Sequence, residues 1–289
     1  MRTPPPPALA VVVVSFNSRE TLGACLDSLA RHANVPLEIV VVDNASGDGS
    51  ADAARERTAP PRVIENPENV GFARACNQGT AATTAPFVLF LNPDAEIAAG
   101  AVEALVAALQ SAPDVGVVGP LTREPDGTVQ VSTGPDLTLG AERRQRRLVR
   151  GVRRREARAV AEATARHARE HEPDWVSGAC LLARREALEA VGGFDEGFFL
   201  YEEDADLCRR VRSEGWRVRF TPAATVRHQR GRSMAQAPER ARLAYQSSHL
   251  LYYRKHNALP QRVGLRLLLL GRALAALDPA LLGLALGRG

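Results

Sequence analysis

Lysine is almost absent from this chain of 289 residues: lysine and arginine together number 37, and Lys255 is the one lysine. Guanidinium groups therefore carry nearly all the positive charge, and they bind phosphates and carboxylates through paired hydrogen bonds. Aromatic residues are also scarce, at 5% of the chain. Proteins that bind single-stranded nucleic acid stack bases on aromatic side chains, so this scarcity argues against that class. A basic nucleic-acid-binding protein stays open as an alternative, because arginine-rich segments contact phosphate backbones.

Cysteine is sparse as well, with four widely spaced residues and no CxxC pair. A disulfide scaffold is therefore excluded, and we expect each cysteine to be a small buried hydrophobic residue. No run of 18 or more uncharged apolar residues occurs, so no clean membrane span is predicted. The proline-rich start lacks the basic beginning and the cleavage site of a secretory signal. These absences together predict a cytoplasmic protein.

The net charge of +4 conceals a very uneven distribution. Residues 141–172 carry 11 arginines and 5 glutamates, and residues 227–272 carry 9 arginines and one lysine against one glutamate. The rest of the chain is therefore acidic. A solvated helix surface explains the first basic segment, and attraction to anionic lipid headgroups or to a lipid diphosphate is the alternative. Residues 261–287 are leucine-rich but interrupted by charges, which suits either a helix lying in a membrane interface or one packed on the core.

Short β-rich runs alternate with helical patterns in the first third of the chain. Ala8–Val14 and Pro86–Leu91 are continuous apolar runs, typical of strands that are buried on both faces. The β-α-β-α order predicts an α/β fold with a mostly parallel sheet and flanking helices. Later in the chain the patterns predict a hairpin at Asp126–Gly127, one long helix over 141–172, a strand over 175–183, and C-terminal helices over 239–256 and 261–287.

Small polar residues follow each of the first four predicted strands. Ligands bind beyond the carboxyl ends of parallel strands, so this pattern favours a binding site, although turns use the same residue types. Asp43 suits either a turn or recognition of a pyrimidine imide N–H. Asn92-Pro93-Asp94 suits a divalent cation with oxygen ligands. No glycine-rich dinucleotide or P-loop motif is present.

Four carboxylates lie within five residues at a predicted helix start, Glu202 to Asp206. Helix capping explains one or two of them. A carboxylate crowded by others against an apolar wall suits general base catalysis on a hydroxyl. His228 ends a strand and is followed by Arg230 and Arg232, which predicts either a metal or diphosphate contact or a structural histidine.

These motifs together resemble an inverting family 2 glycosyltransferase with the GT-A fold, of the bacterial rhamnosyltransferase-like type. The matching stretches fall between residues 11 and 233 and read VVVVSFNSRETLGACLDSL, VVDNASGDGS, NVGFARACNQG, FLNPDAEI, VSGACLLARREALEAVGGFDEGFFLYEEDADLCRRVRSEGW and VRHQRGRS. The resemblance implies a mostly parallel central sheet with flanking helices, followed by C-terminal helices.

The resemblance also implies a role for each matching residue. Asp204 matches the catalytic base, and Asp94 with His228 would hold Mg²⁺ or Mn²⁺. Asn92 stands where the family's Asp-x-Asp motif has its first aspartate. The remaining implied residues are Ser15, Asn17, Asp43, Asn69, Gly71 and Asn77 for the nucleotide, Asn92, Arg230 and Arg232 for the donor diphosphate, and Trp175, Gly178, Phe194, Asp195 and Glu203 for the acceptor.

Three segments are expected on this basis. Residues 1–120 would form the nucleotide-sugar-binding half of one GT-A domain and residues 121–235 its acceptor and catalytic half, with 141–172 as a basic helical insertion. Residues 236–289 would form a helical segment that contacts the membrane.

The implied reaction moves a sugar with inversion from dTDP-rhamnose or a UDP-sugar to a hydroxyl. The acceptor would be a glycan or a polyprenyl-diphosphate-linked sugar in cell-envelope polysaccharide assembly, reached peripherally at the inner face of the plasma membrane. No nucleic-acid partner is expected. An inactive nucleotide-sugar-binding module is the other alternative.

Overall fold

A computed structural model describes residues 8–229 and 238–287. The strands are β1 (Leu9–Ser15), β2 (Leu37–Asp43), β3 (Arg62–Glu65), β4 (Phe87–Leu91), β5 (Ala95–Ile97), β6 (Val115–Arg123), β7 (Thr133–Gly134), β8 (Trp175–Val176), β9 (Cys180–Arg184) and β10 (Arg217–His228). The helices are α1 (Arg19–His32), α2 (Ser50–Arg55), α3 (Phe72–Ala81), α4 (Ala101–Gln110), α5 (Leu139–Arg153), α6 (Ala157–Arg166), α7 (Arg185–Ala190), α8 (Glu203–Ser213), α9 (Pro238–His256), α10 (Leu259–Ala276) and α11 (Pro279–Leu286).

A large sheet organises the described residues, with strand order β3-β2-β1-β4-β9-β6-β10-β5. The pairs of β1 with β2, β1 with β4, β2 with β3, and β6 with β10 are parallel. Strand β9 pairs antiparallel with both β4 and β6, and β5 pairs antiparallel with β10. Every residue of β1 is buried, as expected for a strand covered on both faces by helices. The structure confirms the predicted α/β fold with a mostly parallel sheet.

Helices cover both faces of this sheet and form two apolar cores. Leu22 and Leu26 of α1 pack with Leu105 of α4 on one face. Cys76 of α3 and Leu207 of α8 belong to the core on the opposite face. All four cysteines are free and buried, which confirms the prediction that they act as small hydrophobic residues.

The C-terminal helices form a further apolar core against the chain that leads into α8. Tyr252 of α9, Leu265 of α10 and Leu281 of α11 pack with Phe198 and Ala205. The predicted C-terminal helices are therefore confirmed, and they are fixed to the acidic segment that precedes and begins α8. No helix within the described ranges is both long enough and apolar enough to span a membrane.

Two predicted helices are divided in the structure. The predicted helix over 141–172 consists of α5 and α6, and the chain turns between them at Arg155, which has φ of 58°. The predicted helix over 261–287 is interrupted at Leu277, where φ is 49°, and Asp278 caps the helix that follows. The expected hairpin at Asp126–Gly127 is confirmed, because the Glu124 N–H donates to the Thr128 carbonyl.

The predicted strand over 175–183 is likewise divided, into β8 and β9. The intervening turn contains Gly178, whose backbone faces α8. If the strand continued through this turn, the Gly178 N–H would not point toward the start of α8. The interruption therefore places this N–H at the candidate site.

Candidate active site

A cavity of about 910 Å³ opens where the ends of β1 and β4 meet the start of α8. It brings together side chains predicted from the sequence to serve donor, metal, base and acceptor roles. Those that line it are Asn17, Asn69, Gly71, Asn92, Asp94, Trp175, Gly178, Glu203, Asp204 and His228. Residues as far apart in sequence as Asn17 and His228 therefore share one concave site, as expected for a ligand pocket.

Other predicted residues lie outside the lining of this cavity. Ser15 is buried at the end of β1, and its carbonyl accepts the Asn44 N–H. Asp43 is also buried, and its two oxygens accept the N–H of Ser46 at 2.9 Å and the Ser46 hydroxyl at 2.7 Å. Asp43 therefore stabilises a turn, which is one of the two roles expected for it. The predicted Arg230 and Arg232 fall outside the described residues.

Asn77, Phe194 and Asp195 support the chain that leads to α8. The side chain of Asn77 donates to the Phe194 carbonyl and accepts the Phe194 N–H, both at 2.9 Å. The Phe194 ring packs edge-on against Phe90, with 4.9 Å between ring centroids. Asp195 pairs with Lys255. None of the three side chains lines the cavity, so their observed contacts are structural.

The donor end of the cavity is built from loops that hold one another. Asn17 has φ of 49°, and its side-chain oxygen accepts the Gly47 N–H at 2.9 Å. The amide of Asn44 donates to the Gly71 carbonyl at 3.1 Å. Gly71 has φ of 88°, and a Cβ there would lie 2.6 Å from the Phe199 carbonyl oxygen. Glycine is thus required by both backbone conformation and space.

Asn44 was not among the predicted site residues, yet it is buried and lines the cavity. Like Asp43, it is a small polar residue at the end of a predicted strand. The sequence could not show that Asp43 would stabilise the turn and Asn44 would line the cavity.

Asp94 and His228 meet on one wall of the cavity. The Nε2 atom of His228 lies 3.2 Å from Oδ1 of Asp94, and both side chains are largely buried. Asn92 lies beside them, with its Nδ2 atom 3.4 Å from the same histidine nitrogen. These residues come from the end of β4 and the end of β10, so the sheet itself sets their separation.

Gln130 fixes the orientation of the His228 ring. Its side-chain oxygen lies 3.2 Å from Nδ1 of His228, and its side-chain nitrogen donates to the His228 carbonyl at 2.8 Å. The amide oxygen can only accept, so Nδ1 carries a proton, and this contact orients the ring with Nε2 toward Asp94. A histidine held in this way by an outer partner is suited to ligate a metal through Nε2.

The donor set on this wall consists of one carboxylate and one imidazole. No group of three or more histidine, cysteine, aspartate or glutamate side chains fit to hold a metal occurs in the described parts of the chain. Mg²⁺ and Mn²⁺ sites of this type take few protein ligands and complete their coordination with water and substrate phosphates. The residues present fit such a shared site.

Asp204 lies in the first turn of α8 and is held by two backbone N–H groups. Its Oδ2 accepts the Gly178 N–H at 2.7 Å, and its Oδ1 accepts the Ala205 N–H at 2.8 Å. Burial raises the pKa of Asp204, and the two N–H donors oppose this rise. The side chain is therefore a fixed and partly desolvated carboxylate that can take a proton within the cavity.

The chain adopts an unusual conformation just before Asp204. Tyr201 and Glu202 have φ of 70° and 68°, a region in which side chains other than glycine are uncommon. Such strain persists only where surrounding contacts impose it, and it concentrates at functional sites. Here one imposing contact is His249, whose Nδ1 lies 2.9 Å from a Glu202 oxygen.

A cluster of polar residues from α5 and α9 lines another part of the cavity. The sequence did not predict these residues as part of the site. Glu142, Arg146 and Tyr245 line the cavity, and buried His249 lies 3.1 Å from Glu142. Burial would lower the pKa of His249, but its bonds to Glu142 and Glu202 raise it to about 9. The basic composition of α5 was visible in the sequence, but its partner α9 is distant along the chain and could not be inferred.

The other acidic residues of the α8 start have different environments. The carboxylate of Glu203 is buried, and burial together with Asp204 raises its pKa well above the usual range. Burial would also raise the pKa of Asp206, but hydrogen bonds from His256 and Lys255 and the charge of Arg210 hold it at about 2. Asp206 is therefore committed to ion pairs, whereas Asp204 faces the cavity.

Comparison with known proteins shows the family to which the chain belongs. The sequence model of "Glycosyl transferase family 2" matches residues 10–192. The chain belongs to this glycosyltransferase family. The description "Glycosyl transferase family 21" also matches residues 158–274. This glycosyltransferase is 32% identical over 258 residues to the N-acetylglucosaminyl-diphospho-decaprenol L-rhamnosyltransferase of Mycobacterium tuberculosis, covering 84% of this chain and 83% of the relative.

Further relatives and solved structures agree with this assignment. The glycosyltransferase is 30% identical to the O-antigen biosynthesis protein RfbC of Myxococcus xanthus, covering 75% of this chain and 17% of that protein. Its fold is similar to that of the mannosyltransferase PcManGT from Pyrobaculum calidifontis, solved with GDP-Man and Mn²⁺, at a TM-score of 0.57 and 20% identity over 95% and 82% of the two chains. The structure of TarS from S. aureus has a TM-score of 0.54 at 16% identity, over 89% and 68%. The GT-A fold is therefore confirmed, and the comparisons favour neither alternative class.

Proposed function

We propose that this glycosyltransferase moves L-rhamnose from dTDP-rhamnose to a hydroxyl of a sugar carried on a lipid diphosphate, with inversion at the anomeric carbon. The observation that carries the proposal is the position of Asp204, a half-buried carboxylate with a raised pKa in the same cavity as the loops after β1 and β3 and the Asp94–His228 pair. The relative in M. tuberculosis, named for L-rhamnose transfer to N-acetylglucosaminyl-diphospho-decaprenol, supports this choice of donor and acceptor.

The donor nucleotide binds at the ends of β1 and β3. Asn17, Asn69 and Asn44 present amide groups along the cavity wall, and amides can both donate to and accept from a base or ribose. Gly71 lets the backbone approach closely at this point because no side chain intervenes. Asp43 supports the turn that holds Asn17 in place, through Ser46.

Asp204 acts as the general base. Gly178 and Ala205 hold the carboxylate in place through their N–H groups, and each of its oxygens keeps a further lone pair for an acceptor hydroxyl. As the hydroxyl oxygen attacks the anomeric carbon, its proton passes to Asp204. The bond to the nucleoside diphosphate breaks on the opposite side, so one displacement inverts the configuration.

Asp94 and His228 would hold Mg²⁺ or Mn²⁺ together with the donor diphosphate. When bound, the cation supplies positive charge that stabilises the leaving diphosphate. Gln130 keeps Nε2 of His228 directed at the site. Asn92 supplies a neutral amide beside the pair, where the family motif would place a second carboxylate. Arg230 and Arg232, as in the sequence prediction, would add diphosphate contacts.

Trp175 and Glu203 would contact the acceptor, as the sequence predicts. Trp175 is fixed by a hydrogen bond of 2.9 Å from its indole N–H to the Pro135 carbonyl. One carboxylate oxygen of Glu203 is buried without a hydrogen-bond partner in the described residues. An unpartnered buried oxygen in the cavity can accept a hydroxyl from an acceptor sugar, which would offset its desolvation.

Peripheral contact with an anionic membrane surface is part of the proposal. In the described residues, most large hydrophobic side chains that are strongly exposed belong to α10, α11 and their junction, and Leu277 is 88% exposed. Arginines accompany these leucines along α10. A helix with exposed leucine and arginine side chains suits the interface between headgroups and acyl chains.

A donor screen tests the reaction directly. The full chain is incubated with dTDP-rhamnose, UDP-sugars or GDP-mannose, a synthetic N-acetylglucosaminyl-diphospho-lipid, and Mg²⁺, Mn²⁺ or EDTA. Released nucleoside diphosphate and glycosylated lipid are then quantified. We expect turnover with dTDP-rhamnose and a dependence on the divalent cation. Turnover with another donor alone would refute the rhamnose assignment.

Replacing the proposed base provides the matched mutational test. We expect Asp204→Asn to lower kcat by about 10²- to 10⁴-fold, the usual range for loss of general base catalysis, with little change in dTDP binding. Glu214→Gln, an exposed change at the other end of α8, is the control and should keep full activity. Normal turnover by the Asp204 variant would exclude this residue as the base.

A further inference from the structure

Helices α5 and α9 pack in an antiparallel register. Glu142 accepts from the Tyr253 hydroxyl at 2.5 Å, and one helical turn later Arg146 donates to the Tyr245 hydroxyl at 3.1 Å. Arg146 also lies 3.4 Å from His249, so one turn of α5 contacts two turns of α9 through long side chains. The two helices therefore run past each other in opposite directions where they meet.

Two exposed arginines line the edge of the cavity, one on α5 and one on α9. Arg153 lies seven residues after Arg146, on the same helix face and about 10 Å further along the axis. Arg240 lies five residues before Tyr245. Arg146, Arg153 and Arg240 all line the cavity. Both Arg153 and Arg240 are exposed, and in the described part of the chain neither forms an ion pair.

Arg153 also lies close to the Asp94–His228 wall. A smaller adjoining cavity of about 220 Å³ is lined by both Arg153 and Gln130, and Gln130 holds the ring of His228. The Arg153 guanidinium is therefore within reach of a group bound between the metal pair and α5.

The first turn of α9, which carries Arg240, lies beside the junction of α10 and α11. Two residues after it, Arg242 forms an ion pair of 2.8 Å with Asp278. Asp278 follows Leu277, the most exposed of the large hydrophobic residues, and Leu274 nearby is 58% exposed. The start of α9 thus joins the cavity to an apolar surface.

We propose that Arg153 and Arg240 form a binding site for a substrate diphosphate. Guanidinium groups bind phosphate oxygens through paired, charge-assisted hydrogen bonds, and two unpaired arginines at one cavity edge match the charge of a diphosphate. Both substrates of the proposed reaction carry this group, the nucleotide donor and the lipid-linked acceptor. The inference rests on the proposed function for the identity of these two substrates.

Binding measurements without turnover test the site and identify its ligand. The full chain is titrated calorimetrically with dTDP and, separately, with farnesyl diphosphate and farnesyl monophosphate. We expect the double variant Arg153→Gln/Arg240→Gln to lose at least 10-fold in affinity for one of the two diphosphates. Loss for dTDP assigns the site to the donor, and loss for farnesyl diphosphate assigns it to the acceptor.

The control variant replaces two other arginines of α5. Arg143 and Arg147 are exposed but do not line the cavity, so Arg143→Gln/Arg147→Gln removes the same charge elsewhere on the same helix. We expect it to bind both diphosphates as the wild type does. The proposal is overturned if the two double variants lose affinity equally, if neither loses affinity, or if the wild type binds farnesyl monophosphate as tightly as the diphosphate and dTDP binding is unchanged.

These outcomes are independent of sugar transfer. If the donor screen finds no transfer but the double variant still loses diphosphate binding, the site stands and the proposed reaction fails. If transfer is observed and the double variant binds both diphosphates normally, the reaction stands and this site assignment fails.

Discussion

His249 is a buried residue whose charge links α5 and α9 to the turn before Asp204. It is 1% exposed and lies between Glu142 on α5 and Glu202 beside Asp204. The two carboxylates raise its pKa to about 9 against the cost of burial. Protonated His249 on α9 therefore forms ion pairs with both α5 and the strained turn that precedes Asp204.

The raised pKa predicts how stability depends on pH. The contribution of His249 is fully present below pH 6.5, the pKa of an unfolded histidine, and is lost as pH rises through about 9. A difference of this size corresponds to roughly 3 kcal/mol. We expect His249→Gln to lower Tm markedly at pH 6.5 and much less at pH 10, measured by calorimetry.

The same variant has a matched comparison elsewhere in the fold. His32 lies in the last turn of α1 and forms no ion pair within the described residues, so His32→Gln should change Tm little across this range. An equal loss of stability for His249→Gln at both pH values would show that its packing, and not its charge, matters.

The acidic cluster shows what could be predicted at the residue scale. The crowding of carboxylates before Leu207 was visible in the sequence, and the motif resemblance selected Asp204. The residues that contact each of the four carboxylates could not be inferred from the sequence. In the structure, Glu202 is bound by His249, and Asp206 is bound by Lys255 and His256. The contact of Asp204 with the Gly178 N–H could not be predicted, because the sequence favoured a continuous strand over 175–183.

Helix α10 is the element whose surface remains most apolar. Leu267 and Leu268 are 61% and 51% exposed, whereas Leu265 and Leu269 are buried against α9 and α11. The inner side of the helix is therefore fixed by packing. Its outer side exposes apolar side chains that a membrane can bury. That division is typical of helices that lie in a membrane interface.

Changing the outer leucines tests this interpretation. We expect Leu267→Ser/Leu268→Ser to reduce binding to vesicles of phosphatidylglycerol and phosphatidylcholine by about 10-fold or more, since each exposed leucine buries apolar area worth about 1.5–3 kcal/mol. Co-flotation with the vesicles measures the effect. Pure phosphatidylcholine vesicles provide the charge control, and unchanged flotation of the variant would rule out α10 as the contact.

Element boundaries were predictable where a chemical signal marks them. Asp278 and Pro279 form a helix-start signal within 261–287, and the structure begins α11 there. The break at Arg155 has no such signal, because residues 151–158 contain neither proline nor a favourable turn motif beyond Gly151. In that segment the packing of α5 against α6, through Leu148, Val152 and Ala163, decides the conformation.

At the scale of the whole molecule, Asp206 joins the sheet domain to the C-terminal helices. Its buried carboxylate pairs with Arg210 at 2.7 Å on α8, and with Lys255 at 2.6 Å and His256 at 2.7 Å on α9. The tertiary structure around the catalytic helix therefore depends on an ion-pair network. It also uses the one lysine of the chain.

Removing this charge should destabilise the whole protein. We expect Asp206→Asn to lower the free energy of unfolding by about 3–5 kcal/mol, the usual effect of breaking a buried ion pair. Because the pKa of Asp206 is held at about 2, the stabilisation is present above pH 3.8 and is lost as pH falls through about 2. Urea unfolding at pH 7 measures the loss, and Asp52→Asn, at an exposed pair on α2, should cost far less.

The global arrangement was only partly predictable from the sequence. The order of buried strands and the motifs at their ends were enough for the fold and the donor end, since parallel topology brings strand ends together. The two basic segments were recognised in the sequence, but the tertiary contact between them was not predicted. Arg146 and Tyr245 are 99 residues apart, and no local pattern reports a contact over that distance.

The antiparallel strand β9 has a consequence for how this architecture can vary. Because β9 pairs beside β6, the chain between Arg123 and Cys180 leaves the large sheet and returns next to its point of departure. Changes in the length of α6 or of the loops beside it therefore leave the strand order of the large sheet unaltered. Gly178 lies at the end of the same segment, so the part that precedes it can vary while its contact with Asp204 is kept.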